Sequence, residues 1–588
     1  MRIAAAVLSA VLVPAVSFAQ AAPDKAWIAR SNAFTQLVLD AQIKYSPEQA
    51  SAQGLAKYDT EVGDPSRKVE IAQRKDEEAV VAKLEAALKT EKDLNVAEDL
   101  QIVIKAEKLG FRQQDYSLQH DVPFINATSA LFYGLQPLLD DQVPQSRREA
   151  AIERLKKYAG QTPGYTPITT GLLIRMKEQV AKPGVTYPSR ASVETQLSRN
   201  AAIVDGIAEL FKKYKLTGWE PAYAVLKTQL ADYDAWVKTN ILPKTRTDFR
   251  LPPEQYALNF ESYGIDIPPA QIATMAHKAF VDYQAQMAPI AAAIAKERGY
   301  TSTDYRDVIR ELKKQQITGE AILPFYEKRL HEIEGIIVKQ RLVTLPDRPA
   351  IIRLGTPAES AQQPAPHMVP PPFLNNTGQR GVFVLPLNMP AGPGESVAAK
   401  VDDYTFDAAS WTLISHEARP GHELQFDSMV EHGVSLARAL FAFNSTNAEG
   451  WGLYAEYIML PNMPKEGQLI SLQFRLLRAA RAFLDPELQS GKVQPADAMK
   501  VLTQDVCFSV PFANEEVERY TFRSPGQANS YFYGFTRLLE LRHETEQALG
   551  PKFDAMRFHD FLLAQGLLPP GLMKKAVEEH FIPQEKTR

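Results

Sequence analysis

The chain has 588 residues, a net charge of −4 at pH 7, 45% hydrophobic and 23% charged residues, and one cysteine, Cys507. This composition is typical of a globular protein, the length predicts two or three domains, and a single cysteine excludes an internal disulfide. Because Lys and Arg are spread thinly along the chain, we expect no nucleic-acid partner.

The first 21 residues have the pattern of a secretory signal peptide. Arg2 supplies a positive charge, residues 3–18 form a short apolar region, and small residues near position 21 offer a cleavage site. The apolar region is too short for a permanent membrane span, and no later run reaches about 18 apolar residues. We therefore expect a periplasmic or secreted protein without stable membrane insertion.

Residues 22–345 are predicted to form an N-terminal helical domain. Apolar residues recur at spacings of three and four, and Pro and Gly separate the segments. The predicted helical segments are 72–109, 148–158, 189–214, 221–240, 269–298 and 322–342. The absence of a fixed-period repeat argues against a solenoid.

Residues 346–588 are predicted to form the catalytic region. A proline-rich stretch contains two β-like runs, at 350–354 and 381–387, which indicate a small antiparallel sheet. Helical periodicity resumes near Asp407. The predicted fold class is therefore mainly α, a large multi-helix protein with a small antiparallel β-sheet beside a zinc-peptidase-like helical region.

The segment HEARPGHELQ at 416–425 resembles the H-E-x-x-H helix of zinc hydrolases with two extra residues. In a regular helix, His416 and His422 would point about 120° apart and would not converge. Pro420 and Gly421 interrupt the helix, so a local bulge can bring the two rings together. The alternative is that both histidines are partly buried residues at a helix kink.

The segment NAEGWGLYAE at 447–456 supplies a candidate third ligand. Glu449 follows His422 by 27 residues, which allows a second helix to return to the site. A catalytic zinc needs three imidazole or carboxylate donors and a water. Glu456 shares a helix face with Glu449 and can point to the same site, or it can be a solvated or salt-bridged residue.

The pattern H-E-x-x-P-G-H-x-x-Q, followed by E-G-W-x-L-Y-A-E, resembles the bacterial family called domain of unknown function 885 (DUF885). That family is similar to zinc metallopeptidases of the gluzincin type. Further matching motifs occur at 478–481, 525–534 and 549–566, so the resemblance covers residues 407–572. The N-terminal half is similar mainly in being helical.

The resemblance implies one Zn²⁺ per chain, held by His416, His422 and Glu449, with Glu417 as the general base. Glu417 would then accept a proton as zinc-bound water attacks a substrate carbonyl. The developing oxyanion needs a hydrogen-bond donor, and Tyr531 is our candidate. The alternative for Tyr531 is a packed aromatic residue whose hydroxyl group bonds locally.

Other polar residues receive less specific predictions. Arg478, Arg481 and Arg537 are candidates for binding a substrate carboxylate through both guanidinium nitrogens, and each can equally be a structural salt-bridge partner. His559 is predicted to be a hydrogen-bonded structural histidine. His543 is predicted to lie on a solvated helix face.

The chain departs from the family pattern at two places. Asp485 is followed by PELQ, where family members commonly carry a Gly-Ile/Leu-His element, and Glu423 stands where a second histidine often follows His422. Neither change removes a predicted ligand or the base. We expect their effect on substrate selection or on contacts behind the ligands.

The leading hypothesis is a zinc-dependent metallopeptidase that cleaves short peptides, with the long helical domain enclosing a narrow channel. The substrate partner is then a peptide or a small amide, and no oligomeric state is predicted. One alternative is a metal-dependent amidase or esterase acting on a non-peptide substrate. Another is a non-catalytic peptide-binding protein, which would have no need for a base such as Glu417.

Overall fold

The computed structural model describes residues 26–389 and 399–588, so the predicted signal peptide at 1–21 lies outside the described residues. Helices account for 71% of the structure and strands for 3%, which confirms the mainly α class. No helix in the two described ranges is long and apolar enough to cross a membrane.

Thirteen α-helices precede the first strand in the described part of the chain. They are α1 Ala26–Ile43, α2 Pro47–Ala52, α3 Arg67–Leu88, α4 Leu94–His120, α5 Ala127–Leu135, α6 Gln145–Tyr158, α7 Ile168–Val180, α8 Arg190–Lys213, α9 Glu220–Asn240, α10 Pro253–Ser262, α11 Pro269–Arg298, α12 Tyr305–Lys313 and α13 Ile322–Gln340.

The predicted helical segment 72–109 is divided in the structure between α3 and α4. Asp93 is the N-cap of α4: its side chain accepts hydrogen bonds from the backbone N–H groups of Asn95 and Val96. Such a cap satisfies donors that the first turn of a helix leaves free. The continuous Ala, Leu, Glu and Lys pattern concealed this local start signal.

The strands and the helix among them are β1 Ile351–Leu354, α14 Pro357–Gln362, β2 His367–Val369, β3 Val382–Leu385, β4 Asn388–Met389 and β5 Ala399–Lys400. Both predicted β-like runs are confirmed as β1 and β3. The antiparallel prediction for their sheet is wrong: β3 pairs parallel with β1 and antiparallel with β2, so the sheet is mixed. The connection through α14 and β2 is long enough to reverse the chain between two parallel strands. Strands β4 and β5 form a separate antiparallel pair.

The remaining helices are α15 Asp407–Glu417, α16 His422–His432, α17 Ser445–Met459, α18 Lys465–Gln489, α19 Pro495–Lys500, α20 Val510–Glu518, α21 Asn529–Leu549, α22 Ala555–Ala564, α23 Pro570–Ala576 and α24 Ile582–Thr587. Two π-helical turns matter for the site, Ala437–Phe441 and Arg519–Arg523. Such turns occur frequently at functional sites.

The largest hydrophobic cluster joins the two halves of the chain. It combines helices α11–α13 with α15, α17, α18 and α21, and α11 packs along α18. Position 345, where the sequence predicts a domain boundary, lies inside this cluster, since Val343 and Ile352 both belong to it. A second cluster lies among helices α5–α9, and a third among α1, α3 and α4.

Candidate metal centre

The two histidines of the HEARPGH segment lie on different helices. Helix α15 ends just after His416 and α16 begins at His422, so the expected bulge is a complete break between two helices. Trp451 of α17 fixes this break, because its indole Nε1–H donates to the carbonyl oxygens of Pro420 at 3.0 Å and Gly421 at 3.2 Å. The two imidazole rings therefore approach to 4.7 Å between centroids.

A buried ion pair also spans the break. Arg419 donates to Glu423 at 2.7 Å and to Glu334 of α13 at 2.8 Å. Glu423, the position where the family often has a second histidine, is fully buried in this pair. The departure from the family pattern therefore has a structural role in joining α15, α16 and α13.

Three donor atoms converge in this region. The Oε2 atom of Glu449 lies 3.4 Å from Nε2 of His416 and 3.4 Å from Nε2 of His422. The three donor atoms lie within 4.8 Å of one another. A separation of 3.4 Å is long for an N–H···O hydrogen bond. It matches the distance of about 3.4 Å between two donors that bind one tetrahedral ion at about 2.0–2.1 Å.

The surroundings of the Glu449 Oε2 atom are a second indication of a metal site. It is buried and has no hydrogen-bond partner among the described residues, although it points between two imidazoles. A buried carboxylate oxygen without a partner is costly unless a cation or another donor meets it. The residues present therefore fit a divalent metal ion, and zinc suits two imidazoles and one carboxylate.

Glu456 orients the first ligand. Its Oε1 atom lies 2.8 Å from Nδ1 of His416, and its Oε2 atom accepts a hydrogen bond of 2.6 Å from Thr412. This arrangement leaves Nε2 of His416 directed at the other donors. Gly452 makes room for the ring, since a Cβ atom there would lie 2.6 Å from Cε1 of His416.

The electrostatics of the cluster favour a positive charge at its centre. Burial by itself would lower the pKa of His416, but Glu449 and Glu456 outweigh it and raise that pKa to about 9. Burial would likewise raise the pKa of Glu449, yet the two nearby imidazoles hold it well below its usual range. Burial raises the pKa of Glu417. A bound cation would satisfy these carboxylates in place of a proton.

The cluster opens into a cavity of about 760 Å³. Glu417, His422, Glu449 and Tyr531 all line it, so the predicted base and the predicted oxyanion donor share one space with the ligands. Aromatic side chains of Tyr133, Phe373, Phe426 and Phe443 form part of its wall. Residues from both halves of the chain therefore shape the cavity.

Tyr531 lies between the histidine cluster and a group of arginines. Its ring stacks on that of His416 with centroids 6.3 Å apart, and Arg481 lies 4.5 Å above the centroid of the tyrosine ring. Its hydroxyl group accepts a hydrogen bond of 3.3 Å from Arg519. The hydroxyl hydrogen is therefore free to donate to another acceptor, as an oxyanion donor must.

A close helix crossing holds Tyr531 in place. Helices α17 and α21 meet at Gly450 and Gly534, and a Cβ atom on Gly534 would lie 2.0 Å from the carbonyl oxygen of Thr446. Only glycine permits this approach. The crossing fixes the helix that carries Glu449 against the helix that carries Tyr531.

The three arginines predicted to bind substrate do not line this cavity. Arg481 makes two hydrogen bonds with Glu516, at 2.7 and 2.6 Å, and Arg478 lies 3.8 Å from Glu456. Arg537 pairs with Glu540 and lines a different cavity, of about 360 Å³. The structure thus places all three in other surroundings, and their role in substrate binding stays a prediction.

Residues that the sequence did not single out line the cavity instead. Arg519 and Arg523 of the π-helical turn are the two arginines in its wall, together with Glu515, Ser524 and Gln527. No spacing in the sequence marks them, apart from their position just before the PGQANSY motif. Asp485 anchors that motif, accepting hydrogen bonds from the backbone N–H of Gly526 at 3.0 and 2.8 Å.

The other histidine predictions are confirmed. His559 is buried, with Nε2 2.8 Å from the Tyr454 hydroxyl group and Nδ1 2.6 Å from the Leu342 carbonyl oxygen. Burial lowers the pKa of His559 to about 4, as expected of a neutral structural histidine. His543 is exposed on α21. The Cys507 thiol is buried, which raises its pKa to about 11.

Fold and site together define a mainly α protein with a buried cluster of two histidines and one glutamate at the wall of a cavity. Residues 47–577 match the family described as bacterial protein of unknown function (DUF885), and the chain belongs to that family. No functionally curated protein matches the chain.

Two of the solved structures that match this chain illustrate the shared fold. One is described as a "putative lipoprotein of unknown function" from Shewanella oneidensis, with a TM-score of 0.67 and 19% identity over 94% of this chain and 99% of that chain. The other, described as the "putative lipoprotein" from Colwellia psychrerythraea, has a TM-score of 0.72 and 18% identity over 94% of this chain and 99% of that chain.

Proposed function

We propose that this chain is a zinc-dependent hydrolase, a metallopeptidase that cleaves short peptides. One observation carries the proposal: the donor atoms of His416, His422 and Glu449 converge within 4.8 Å of one another beside Glu417, at the wall of a cavity. A buried base next to three convergent donors is the arrangement with which zinc peptidases hydrolyse an amide.

The chain's own residues would divide the chemistry as follows. His416, His422 and Glu449 hold the ion, which supplies Lewis-acid polarisation and makes water more acidic. Glu417 accepts a proton from the attacking water and passes it to the leaving nitrogen. Tyr531 donates its hydroxyl hydrogen to the developing oxyanion.

The size and lining of the cavity support a peptide substrate. A volume of about 760 Å³ lies within the range of small-molecule sites and holds a ligand of a few residues. Aromatic and aliphatic residues such as Phe373, Phe426 and Leu440 can contact side chains, while Gln362 and Gln527 can bond a peptide backbone.

We also infer an extracytoplasmic location. Two structures with this fold are each described as a "putative lipoprotein", and residues 1–21 have the pattern of an export signal. Fractionation of bacterial cells that express the full chain tests this inference, because the protein should leave with the periplasmic or secreted fraction. Retention in the cytoplasm would contradict it.

Digestion of a synthetic peptide library, read by mass spectrometry, tests the hydrolase proposal. We expect cleavage by the zinc-loaded protein and a loss of at least about 100-fold in rate for Glu417→Gln, since a positioned base contributes that much. The matched control Glu311→Gln changes a partly exposed carboxylate on α12 and should keep full activity. Hydrolysis of esters or non-peptide amides alone would favour the amidase alternative, and no hydrolysis would reject the proposal.

A further inference from the structure

The cavity has a basic end apart from the metal cluster. Arg519 and Arg523 lie one turn apart on the same π-helical turn and line the same cavity as Glu417. Outside the metal cluster and its base, the Asp, Glu, Lys and Arg residues that line the described part of this cavity are these two arginines and Glu515. The basic end therefore carries an excess of one positive charge.

Arg519 has donors that its neighbours do not fully use. Its natural partner Glu516 is already bound by Arg481 at 2.7 and 2.6 Å and by the Tyr520 hydroxyl group at 2.6 Å. Arg519 itself lies 3.6 Å from Glu516, 3.3 Å from the Tyr531 hydroxyl group and 3.4 Å from Oε1 of Gln527. All three distances exceed the 2.7–2.9 Å of a strong charge-assisted bond. Its guanidinium group is thus available to an anion in the cavity.

Arg523 is the more accessible of the two. Its side chain is 25% exposed and makes a contact of 3.1 Å with Glu515 and a long one of 3.4 Å with the carbonyl oxygen of Gln362. Glu515 has a second oxygen that is buried without a partner among the described residues. Glu516 is shared between Arg481 and Arg519, so two carboxylates, Glu515 and Glu516, face three guanidinium groups.

The basic end is close to the reaction centre. Tyr531 is stacked on His416 and bonded to Arg519, so one tyrosine side chain separates the Arg519 guanidinium from the His416 ring. That span corresponds to about one or two residues of an extended peptide. A substrate carboxylate held by the arginines would therefore lie within one or two residues of the cleaved peptide bond.

We propose that Arg519 and Arg523 bind the C-terminal carboxylate of the substrate, so that the protein acts as a carboxypeptidase that cleaves within the last two residues. The inference rests on the proposed hydrolase function and names its substrate class. In the reaction, water adds across the peptide bond: a C–O bond forms at the carbonyl carbon, the C–N bond breaks, and the nitrogen takes the proton. The released fragment carries the carboxylate bound by the arginines.

The test compares Ala-Ala-Phe with its C-terminal amide and with its N-acetyl derivative. We expect the zinc-loaded full chain to cleave the free acid and its N-acetyl derivative roughly 10- to 100-fold faster than the amide, the effect of losing a charge-assisted bond. Arg523→Gln and Arg519→Lys should bring the ratio of the rate on the acid to the rate on the amide down toward one. Arg310→Gln, an exposed arginine paired with Asp307, is the control and should change neither rate.

Calorimetric binding to the Glu417→Gln protein separates the two proposals. Tighter binding of the acid than of the amide, lost when Arg523→Gln is added to Glu417→Gln, supports the carboxylate site. This holds even if the wild type hydrolyses neither peptide. That absence of hydrolysis would reject only the hydrolase proposal. Equal cleavage of acid and amide would overturn the carboxylate site and keep the hydrolase. No binding and no hydrolysis would overturn both. If circular dichroism shows that Arg519→Lys does not fold, the comparison of acid and amide in Arg523→Gln alone tests the carboxylate site.

Discussion

At the residue scale, the cluster depends on a carboxylate that is not itself a donor to the centre. Glu456 is 1% exposed and holds Nδ1 of His416, so it selects which ring nitrogen faces Glu449. A negative charge behind a ligating imidazole increases the electron density at the opposite nitrogen. The sequence left Glu456 open between a carboxylate that points to the site and a solvated or salt-bridged residue. The structure excludes the solvated position, because Glu456 is buried and contacts both His416 and Arg478.

We predict that Glu456→Gln weakens zinc binding by about 10-fold or more, because the isosteric amide keeps the shape but removes the charge. Competition with a fluorescent zinc chelator measures the dissociation constant. Glu311→Gln is the matched control, since Glu311 is a partly exposed residue that contacts Lys314. An unchanged constant in Glu456→Gln would show that the carboxylate has no influence on the ion.

A buried carboxyl group on α4 that does not line the cavity, Glu107, predicts a dependence of stability on pH. Burial raises the pKa of Glu107 from 4.5 to about 7, and its side chain bonds only Gln42 among the contacts described. The folded protein therefore retains a proton that the unfolded chain releases. The stability linked to this proton is complete below pH 4.5 and is lost as the pH rises through about 7.

Urea unfolding of the wild type and of Glu107→Gln at pH 4.5 and 7.5 measures this effect. Between these two pH values, we expect the wild type to lose on the order of 2–3 kcal/mol relative to the variant. Using the difference between the two proteins cancels the other titrating groups. A difference that does not change with pH would contradict the assignment.

At the scale of elements, the site is assembled where helices cross. The α17–α21 crossing brings Glu449 near Tyr531, and the break between α15 and α16 brings the two histidines together. Short motifs predicted the histidines, Glu449 and Tyr531, because each lies in a segment with its own pattern. Arg519 and Arg523 could not be predicted in this way, because only the packing of the π-helical turn against α18 and α20 brings them to the cavity.

The crossing can be tested with two glycines that lie in different surroundings. Gly534→Ala would place a Cβ atom 2.0 Å from the carbonyl oxygen of Thr446, whereas Gly335→Ala on α13 would meet nothing within 4 Å. We expect Gly534→Ala to lower the free energy of unfolding by about 1–3 kcal/mol and to weaken zinc binding. Gly335→Ala should raise stability by roughly 0.5–1 kcal/mol. Equal effects in the two variants would contradict the close approach.

The sheet illustrates what a pattern of apolar residues leaves undetermined. The sequence predicted the positions of β1 and β3 along the chain. Their relative direction depends on the connection between them, which the apolar pattern does not report. Strand β2 has only three residues, His367–Val369, which is too few for a period-two pattern to be visible. The mixed topology was therefore beyond the reach of sequence periodicity.

At the scale of the whole molecule, the N-terminal helices contribute to both the core and the site. Helix α11 packs along α18, and Gln53 and Tyr133 line the same cavity as Glu417. A change in composition near residue 345 suggested two domains. Composition reports local structure and cannot show that two stretches share one hydrophobic cluster.

We predict that a fragment of residues 346–588 does not fold alone, since removal of α11–α13 exposes the apolar face of α18 and its neighbours. Circular dichroism and thermal unfolding of the separately expressed fragment provide the measurement, with the chain from residue 26 to 588 as the control. A cooperative transition in the fragment, together with zinc binding, would support an independent catalytic domain.

The most direct measurement of the central claim is the metal content of the purified protein. Elemental analysis after zinc loading and gel filtration should give one zinc per chain, retained in Glu417→Gln and lost in His416→Ala, His422→Ala and Glu449→Ala. Circular dichroism confirms that each variant is folded. A wild-type protein without bound zinc, or ligand variants that keep it, would contradict the assignment of these three residues as the metal site.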